Sequence, residues 1–343
     1  MKIINSLKNV FRTQKIKNNG GSKRLVYIIR NIKECGGVET KLSNMFSFLE
    51  KKGYDINLIT DIESNNKSIF SKFKVFQICF RSYNTTHTIV KICDRLDPFL
   101  IEFQITGHKD KFINYNKIMK RWDCGIQNHG ITYEFFKKAL YNAVNSINTC
   151  KRDAPGNYDI FPNMIPDKVK LSLYKREKQN KAIIISRLDP DKLDQIRTAI
   201  KYCKSVRCNF EIAGISAFSY SVKEQLKKEF DLKDDCFIGK IKTLEHLNQN
   251  KYRFVCGVGN VVLEASLLGL PVFVSSHINY NGFLNKSNFI DCMNRNFVGF
   301  SNKQSNILNY ESLRDLVLKY RSIDRVMNDY IKMIHRTLKY EKD

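Results

Sequence analysis

The stretch CGVGNVVLEASLLGLPVFVSS, residues 256–276, combines a glycine-bracketed loop with a helix that carries one carboxylate, Glu264. Gly257 and Gly259 remove side chains from the loop, so backbone N–H groups can face an anion, and the N-terminus of the helix adds its positive end. The flanks of Glu264 are nearly all apolar and predict a buried helix. Because an idle buried acid is costly, we expect Glu264 to accept hydrogen bonds from ligand hydroxyl groups rather than to be a merely exposed helical carboxylate.

A second segment, ISRLDPDKLDQI, carries two cations across a turn that contains a proline. Arg187 and Lys192 could bind two oxygens of one diphosphate, the arginine through its planar fork and the lysine as a point charge. Asp189 and Asp191 could instead neutralise the same cations and leave a solvated mixture of charges. Taken alone, this segment favours the solvated mixture.

The third segment, NIKECGGVE, follows the first apolar run of the chain. Gly36 and Gly37 let the backbone approach a ligand closely, and the N-terminus of the following helix favours an anion. The pattern G-x-G-x-x-G, which marks dinucleotide sites, is absent. An ordinary tight turn explains the two glycines equally well, so both interpretations stay open.

The elements that must position these segments alternate between short apolar runs and amphipathic stretches. RLVYIIR and DINLIT predict strands on either side of a helix in which Val38, Leu42, Met45, Phe46 and Leu49 follow helical spacing. Further strands are predicted for FKVFQICF, FLIEFQI, CGIQN and VNSINTC. This βαβα order is typical of a parallel sheet with helices on both faces.

A proline-rich segment, residues 153–181, indicates a linker before a second βαβ series. That series begins at AIIISRL and continues through CNFEIAG, CFIG, YRFVC and PVFVSS, with helices over 191–205 and 219–230 and after Gly259. Residues 310–340 predict a helical tail. The two series of strands and helices together indicate an α/β fold class with two Rossmann-like halves. The predicted divisions are a basic tail (1–23), an N-terminal Rossmann-like domain (24–160), a linker (161–181), a C-terminal Rossmann-like domain (182–310) and C-terminal helices (311–343).

Charge is the most marked feature of the composition, because 58 Lys and Arg against 34 Asp and Glu give a formal net charge of +24. Such an excess favours an anionic partner: nucleic acid, a phosphorylated substrate or an acidic membrane surface. The aromatic residues lie within strand and helix patterns and do not interleave with a basic patch, which argues against nucleic acid. Ten cysteines without C-x-x-C or zinc spacing indicate reduced thiols of a cytoplasmic protein.

The first 24 residues hold seven basic residues and no acidic one. Ile3, Ile4, Leu7, Val10 and Phe11 recur at helical spacing, so a helix here would have one apolar face and a cationic remainder, as in helices that lie on anionic lipid. A solvated tail is the alternative, and the sequence leaves both open. No stretch reaches the roughly 18 apolar residues that span a bilayer, and no secretory signal is visible.

Three blocks, GGVETKLSNMFSFLEKKGYDINLIT, ISRLDPDKL and GVGNVVLEASLLGLPVFVSS, resemble in order and separation the matching blocks of GT-B glycosyltransferases, in particular the large family-4-like group. QNHGITYEFF and IFPNMIP resemble that group's mid-domain histidine turn and interdomain segment. The most specific part is E-A-x-x-x-G-x-P-V, from Glu264 to Val272, whereas residues 61–125 match only by element pattern. The resemblance covers residues 24 to about 340 and implies two Rossmann-like domains that face each other across a cleft.

The resemblance implies that Arg187 and Lys192 bind the diphosphate of a nucleotide-sugar donor and that Glu264 binds the ribose hydroxyls. It also implies a catalytic position for His129 on the sugar or acceptor side, although a lone histidine beside a glycine is more often structural. The group is mostly retaining. Neither a metal nor a cofactor is expected beside the donor substrate. Backbone contacts to the donor are expected from Gly36, Gly37, Gly257, Val258, Gly259 and Asn260.

One position departs from the resembled group. Where its motif brackets seven residues with two glutamates, this chain has Cys256 first and Glu264 second. A thiol is a weak hydrogen-bond partner and stays neutral unless its pKa is lowered, so it cannot do a carboxylate's work. An altered donor sugar, donor contacts from the neighbouring backbone and an impaired enzyme each account for the change. We favour backbone contacts, because the loop glycines and Glu264 are retained.

The expected function is transfer of a sugar from a nucleotide-diphosphate-sugar donor to a cell-envelope glycan, such as lipopolysaccharide or capsule, or to a lipid-linked acceptor. The expected location is the cytoplasm, at the inner face of the plasma membrane if the basic tail binds lipid. A sugar-nucleotide epimerase or phosphorylase of the same fold is the alternative, as is a catalytically impaired sugar-nucleotide-binding protein. The donor, the acceptor, the linkage and the oligomeric state stay open.

Overall fold

The computed structural model of the chain divides into two compact units, each built on its own sheet. The first unit comprises residues 1–161 and 327–343, and the second comprises residues 162–326. Helices and strands are numbered in chain order over the described residues. The structure describes residues 23–30, 32, 37–61, 70–105, 111–128, 141–144, 159–165, 180–247, 251–305 and 312–340.

The sheet of the first unit is parallel throughout its described strands. Its strands are β1 (Arg24–Ile29), β2 (Asp55–Asp61), β3 (Lys74–Ile78), β4 (Leu100–Ile105), β5 (Cys124–Asn128), β6 (Tyr141–Val144) and β7 (Asp159–Ile160). Its helices are α1 (Gly37–Lys51), α2 (Thr85–Leu96), α3 (Tyr115–Met119) and most of α10 (Ile323–Tyr340). The strand order is β3-β2-β1-β4-β5-β6-β7, so the direction of winding reverses between β1 and β4.

Apolar periodicity places helices on both faces of this sheet. All six residues of β1 are buried, as expected for a central strand covered on both sides. Tyr27 faces α1, where its ring lies 4.6 Å from that of Phe46. Val26 faces the opposite side, where Ile89 and Cys93 of α2 join the core. The alternation of strands and helices predicted for this half is confirmed.

A buried carboxylate ties the C-terminal helix to the first sheet. Glu102, on the central strand β4, is almost fully buried. The amide of Gln127 donates a hydrogen bond to one carboxylate oxygen at 2.5 Å, and the hydroxyl of Tyr330 on α10 donates to the other at 2.5 Å. The Tyr27 hydroxyl lies 3.0 Å from that of Tyr330, and the Phe161 ring stacks on the Tyr330 ring. These bonds offset the cost of removing the carboxyl group from water.

The second unit repeats the plan with a smaller sheet. Its strands are β8 (Lys181–Ile185), β9 (Asn209–Ala213), β10 (Phe237–Gly239), β11 (Phe254–Gly257), β12 (Val272–Val274) and β13 (Gly282–Phe283). Its helices are α4 (Leu193–Ser205), α5 (Ser219–Phe230), α6 (Thr243–Leu247), α7 (Asn260–Leu267), α8 (Phe289–Asn294) and α9 (Arg314–Arg321). The order is β10-β9-β8-β11-β12-β13, parallel except for the β12–β13 pair.

Alternating side chains of the second sheet belong to two separate cores. Val255 of β11 packs on the side of α7, together with Val262 and Leu263. Its neighbours Phe254 and Cys256 pack on the side of α4 and α5. This alternation follows from the two-residue period of a strand, and it confirms the second predicted series of strands and helices.

The helices predicted for the C-terminal tail over 310–340 are α9 and α10 in the described residues. Ser322 is extended and separates α9 from α10. The Ile165 N–H donates to the Arg321 carbonyl at 2.9 Å, and the Ile323 N–H donates to the Ile165 carbonyl at 2.9 Å. This short parallel bridge uses the backbone groups around Ser322, so the helix is interrupted there. Apolar spacing on the two sides of the break gave no sign of it.

Other predictions fall partly or wholly outside the described residues. The strand predicted for VNSINTC, residues 144–150, shares only Val144 with β6 (Tyr141–Val144), and its residues 145–150 are outside the described set. The basic tail up to residue 22 and linker residues 166–179 are also outside it. The domain boundaries drawn from the sequence stay predictions.

Substitution Tyr330→Phe tests the buried carboxylate. It removes one donor from Glu102 without changing the ring that packs on Phe161, so the free energy of unfolding should fall by about 1–3 kcal/mol. Urea unfolding of the full chain measures the change. Tyr220→Phe, at a tyrosine that is 80% exposed, is the control and should change stability little. If Tyr330→Phe and Tyr220→Phe changed the free energy of unfolding equally, the hydrogen bond from Tyr330 to Glu102 would contribute nothing to stability.

Candidate functional site

The second sheet brings two of the predicted segments to one place. From β8 the chain winds through α4 to β9 and β10, then returns to the other side of β8 to form β11. The loops that follow β8 and β11 therefore leave neighbouring strands at the point where the winding reverses. Ligands of open parallel sheets bind in the crevice at such a point. Arg187 and Lys192 follow β8, and the loop 257–259 follows β11.

Glycine is required where these two strands end. A Cβ on Gly257 would lie 2.6 Å from Cγ1 of Val261 and 3.3 Å from the carbonyl oxygen of Ile185. A side chain there would push β11, α7 and the end of β8 apart. Gly257 thus has a packing role in the structure, and its predicted role in presenting backbone N–H groups to an anion stays a prediction.

The backbone amides of the loop are not equivalent. Gly259 has φ 61° and ψ −125°, and its N–H donates to the Phe297 carbonyl at 2.9 Å. That amide is therefore engaged within the protein. The amides of Val258 and Val261 have no acceptor among the described residues, and Val261 lies in the first turn of α7, where helical amides lack intrahelical partners. These two amides are the better candidates for binding an anion.

The two predicted cations are held by carboxylates of their own loop. Arg187 lies 3.0 Å from Asp189 and 3.8 Å from Asp191, and the Lys192 ammonium lies 2.9 Å from Asp191. Burial raises the pKa of Asp191, but Lys192 and Arg187 outweigh it and leave that pKa below its ordinary value. The sequence left this pairing open, and the structure shows it. An anionic ligand would have to compete with Asp191 for both cations.

Glu264 lies in apolar surroundings on α7, half-buried between the helix and the segment after β10. Burial raises the pKa of its carboxyl group to about 7, and a hydrogen bond with Thr243 partly counteracts the rise. Near neutral pH this carboxyl group is therefore divided between its charged and neutral forms. Sequence reasoning missed Thr243. Its position four residues after the end of β10, at the carboxyl edge of the sheet, was the available signal.

Cys256 belongs to the core. It lies within β11, fully buried, on the side of α4 with Cys203 and Tyr202. Burial raises the pKa of its thiol well above the ordinary value, with a further rise from Cys203, so the thiol is neutral. The structure thus gives this side chain a packing role. Its equivalence to a sugar-binding glutamate stays a hypothesis.

The remaining predicted residues belong to the first unit. Gly37 begins α1 directly beyond the carboxyl end of β1, beside the reversal point of the first sheet. Gly36 and His129 lie outside the described residues, so their roles stay predictions. Within the described ranges, no group of three or more His, Cys, Asp or Glu side chains is placed to hold a metal ion.

Substitution Glu264→Gln tests the raised pKa. Because the folded-state pKa of about 7 exceeds the ordinary 4.5, protonation stabilises the fold, and the contribution of Glu264 to stability falls as pH rises from 4.5 through 7. Glutamine cannot ionise. The variant should match the wild type near pH 4.5 and gain about 3 kcal/mol over it at pH 8.

Urea unfolding of both proteins across this pH range measures the difference. Glu245→Gln, at an exposed carboxylate on α6, is the matched control and should stay within about 0.5 kcal/mol of the wild type throughout. A difference between Glu264→Gln and the wild type that does not change with pH would contradict the assignment.

Comparison with known proteins gives similarity at the level of structure. No known family model matches the sequence, and no curated protein matches it. The chain is similar to a glycosyltransferase from Rickettsia africae ESF-5, with a TM-score of 0.66, 12% identity, and coverage of 93% of this chain and 99% of that one. It is also similar to the lipopolysaccharide outer core galactosyltransferase WaaB in its apo form, with a TM-score of 0.61, 13% identity, and coverage of 91% and 99%.

A third similar structure is Anabaena Alr3699/HepE in complex with UDP-glucose, with a TM-score of 0.62, 13% identity, and coverage of 91% of this chain and 99% of that one. These similarities extend over nearly the whole length of each protein. Within the part of the chain that the structure describes, no helix is both long and apolar enough to cross a membrane. The two parallel-sheet α/β units, matched along almost their full length, give this chain the fold of the GT-B glycosyltransferases.

Proposed function

We propose that this chain is a glycosyltransferase that moves a sugar from a nucleotide-diphosphate-sugar donor to a cell-envelope glycan or lipid-linked acceptor. The observation that carries the proposal is the meeting of two loops at the reversal point of the second sheet. One loop supplies Arg187 and Lys192, and the other supplies free backbone amides at Val258 and Val261. Cations and amides that converge on one crevice suit a diphosphate.

The diphosphate would lie between these cations and the loop 257–260. Breaking a bond between a sugar and a phosphate leaves negative charge on the diphosphate, so fixed donors at that position lower the barrier. Arg187 can offer two parallel N–H groups, and its side chain is 43% exposed, so a ligand can reach it. This arrangement supplies the required positive charge from the protein, in keeping with a metal-independent reaction. The proposal includes a retaining reaction, in which the sugar carbon bonded to the phosphate keeps its configuration in the product.

Glu264 would accept hydrogen bonds from the ribose hydroxyls of the donor. Hydroxyl donors favour the ionised carboxyl group over the neutral one. Binding would therefore lower the pKa of Glu264 from its value of about 7 in the free protein. A carboxyl group that is half charged before binding and charged afterwards couples donor affinity to pH in the neutral range.

For the first unit, the proposal extends the roles that the resemblance implies to three residues. Gly36 and Gly37 would let the backbone approach the donor, and His129, the residue after β5, would lie at the sugar or acceptor side. The positively charged tail before residue 24 would bring the protein to an anionic membrane surface on the cytoplasmic side. These parts of the proposal follow from sequence resemblance and charge.

Removal of the competing carboxylate should strengthen donor binding. Asp191→Asn leaves Arg187 and Lys192 without their shared partner, and exposed ion pairs of this kind contribute about 0.2–1 kcal/mol. The affinity for UDP should rise about twofold to fivefold at low salt, as measured by calorimetry. Asp194→Asn, which removes a 2.9 Å partner of Arg197 on α4, is the control. A fall in UDP affinity for Asp191→Asn would contradict a competing role.

Charge reversal tests the donor site itself. In the Arg187→Glu, Lys192→Glu double variant, the affinity for UDP and GDP should fall about 100-fold, because two charge-assisted contacts become repulsive. Lys201→Glu, an exposed lysine on α4, is the matched control. Circular dichroism checks that the variants fold, and the milder Arg187→Ala, Lys192→Ala pair should show the same direction.

Unchanged affinity in the double variant would overturn the donor site. A separate assay addresses the reaction class. Incubation with a panel of nucleotide sugars, without any acceptor, should leave each sugar unconverted apart from slow hydrolysis. Interconversion of one nucleotide sugar into another would overturn the transferase assignment in favour of an epimerase.

A further inference from the structure

The first unit contains a second concave site, which the sequence did not indicate. A cavity of about 730 Å³ lies between the start of α2 and the segment that follows β4. Both wall segments come after the carboxyl ends of parallel strands, β3 and β4, which is the edge where such sheets bind ligands. Its lining includes Tyr83, His87, Lys111, Phe112, Asn114 and Lys117, and none of its lining residues within the described ranges is acidic.

Two aromatic rings form one wall of this cavity. Tyr83 is 94% exposed, the largest exposure among the exposed large hydrophobic side chains of the described residues. Its ring stands edge-on to that of Phe112, with the centroids 5.5 Å apart. Exposed aromatic rings are favourable surfaces for the apolar face of a ligand.

Two of the residues that line the cavity, Lys111 and Lys117, carry positive charge. The Lys111 ammonium lies 5.2 Å from the centre of the Phe112 ring. No carboxylate in the described part of the chain pairs with Lys111 or Lys117, although Lys192 and Lys227 elsewhere both have acidic partners. Two lysines beside described lining residues that include no acid create a positive potential at this concave surface, which favours an anionic ligand.

The floor of the cavity is fixed before any ligand binds. The buried Thr86 hydroxyl donates to the Phe112 carbonyl at 3.1 Å and accepts from the Asn114 N–H at 2.8 Å. Ile113 is buried in the core, and the Tyr115 ring packs edge-on against Phe103 at 5.0 Å. Because these contacts hold the segment to α2, a ligand would bind without ordering the backbone of the floor.

We propose that this cavity binds an anionic saccharide. The sugar ring would lie against Tyr83 and Phe112, and its carboxylate or phosphate group would lie between Lys111 and Lys117. A bare anion would not need the aromatic wall, and a neutral sugar would not need the cations. A flat lipid surface would not need a cavity. Identification of this saccharide as the acceptor rests on the proposed function, whereas the binding itself does not.

Calorimetry on the full chain tests the site with defined probes. They are a glucose–glucuronic acid disaccharide, glucose 1-phosphate, a neutral glucose disaccharide, inorganic phosphate, and vesicles of phosphatidylcholine and phosphatidylglycerol. The two anionic saccharides should bind more tightly than the neutral one. Lys111→Glu with Lys117→Glu should weaken them about tenfold or more. Tyr83→Ala should weaken charged and neutral disaccharides alike.

Lys120→Glu is the matched control, because Lys120 is an exposed lysine of the same segment that does not line the cavity. The Lys120→Glu variant should bind the saccharides with an affinity within about twofold of that of the wild type. UDP affinity should be unchanged in all three variants. Unchanged UDP binding in the Arg187→Glu, Lys192→Glu double variant, with the saccharide results as expected, would overturn the donor site alone.

Three results would overturn the saccharide site. One is equal affinity of the Lys111, Lys117 double variant and the Lys120 control for the anionic saccharides. Another is inorganic phosphate binding as tightly as glucose 1-phosphate, which would indicate a bare anion site. The third is binding to the vesicles without binding to any saccharide, which would indicate a lipid surface.

Discussion

The close approach of β8 and β11 at their carboxyl ends is the constraint on which the candidate donor site depends. Gly257 permits it, because any side chain would meet Val261 and the Ile185 carbonyl. The approach places the loop with two cations beside the loop with two free amides. Neither loop alone suits a diphosphate: the cations are paired with aspartates, and the amides lack opposing positive charge. Their combination arises from strand order, a property of the whole sheet.

The same edge also explains why a single carboxyl group stands out in the second unit. Glu264 is carried by the helix that begins at this loop, and the apolar core that positions the helix also withdraws the carboxyl group from water. The forces that build the fold thus set the ionisation of the residue. Ionisation of the Glu264 carboxyl group near neutral pH lowers the free energy of unfolding. Such a cost is common at functional sites, where a hydrogen-bonding group lies at the edge of the core.

Local sequence patterns predicted the elements well and the long-range contacts poorly. The helix predicted over 219–230 has those bounds in the structure, and the glycine-bracketed loop lies where its spacing indicates. These features depend on neighbours within a few residues. The contact between Glu264 and Thr243, the extended residue at Ser322 and the cavity around Tyr83 all depend on segments distant in the chain. Periodicity reports which face of an element is apolar, but it does not report which partner that face meets.

The bond between Glu102 and Tyr330 joins positions 228 residues apart in the sequence, within one unit. The last long helix therefore completes the core of the part of the chain that is synthesised first. During synthesis, the complete sequence of the second unit would leave the ribosome before α10, the last helix of the first unit. Until then, Tyr330 could not pack against Glu102 and Phe161. Folding in the cell would then end at the N-terminal sheet, in contrast to the usual order for chains of several domains.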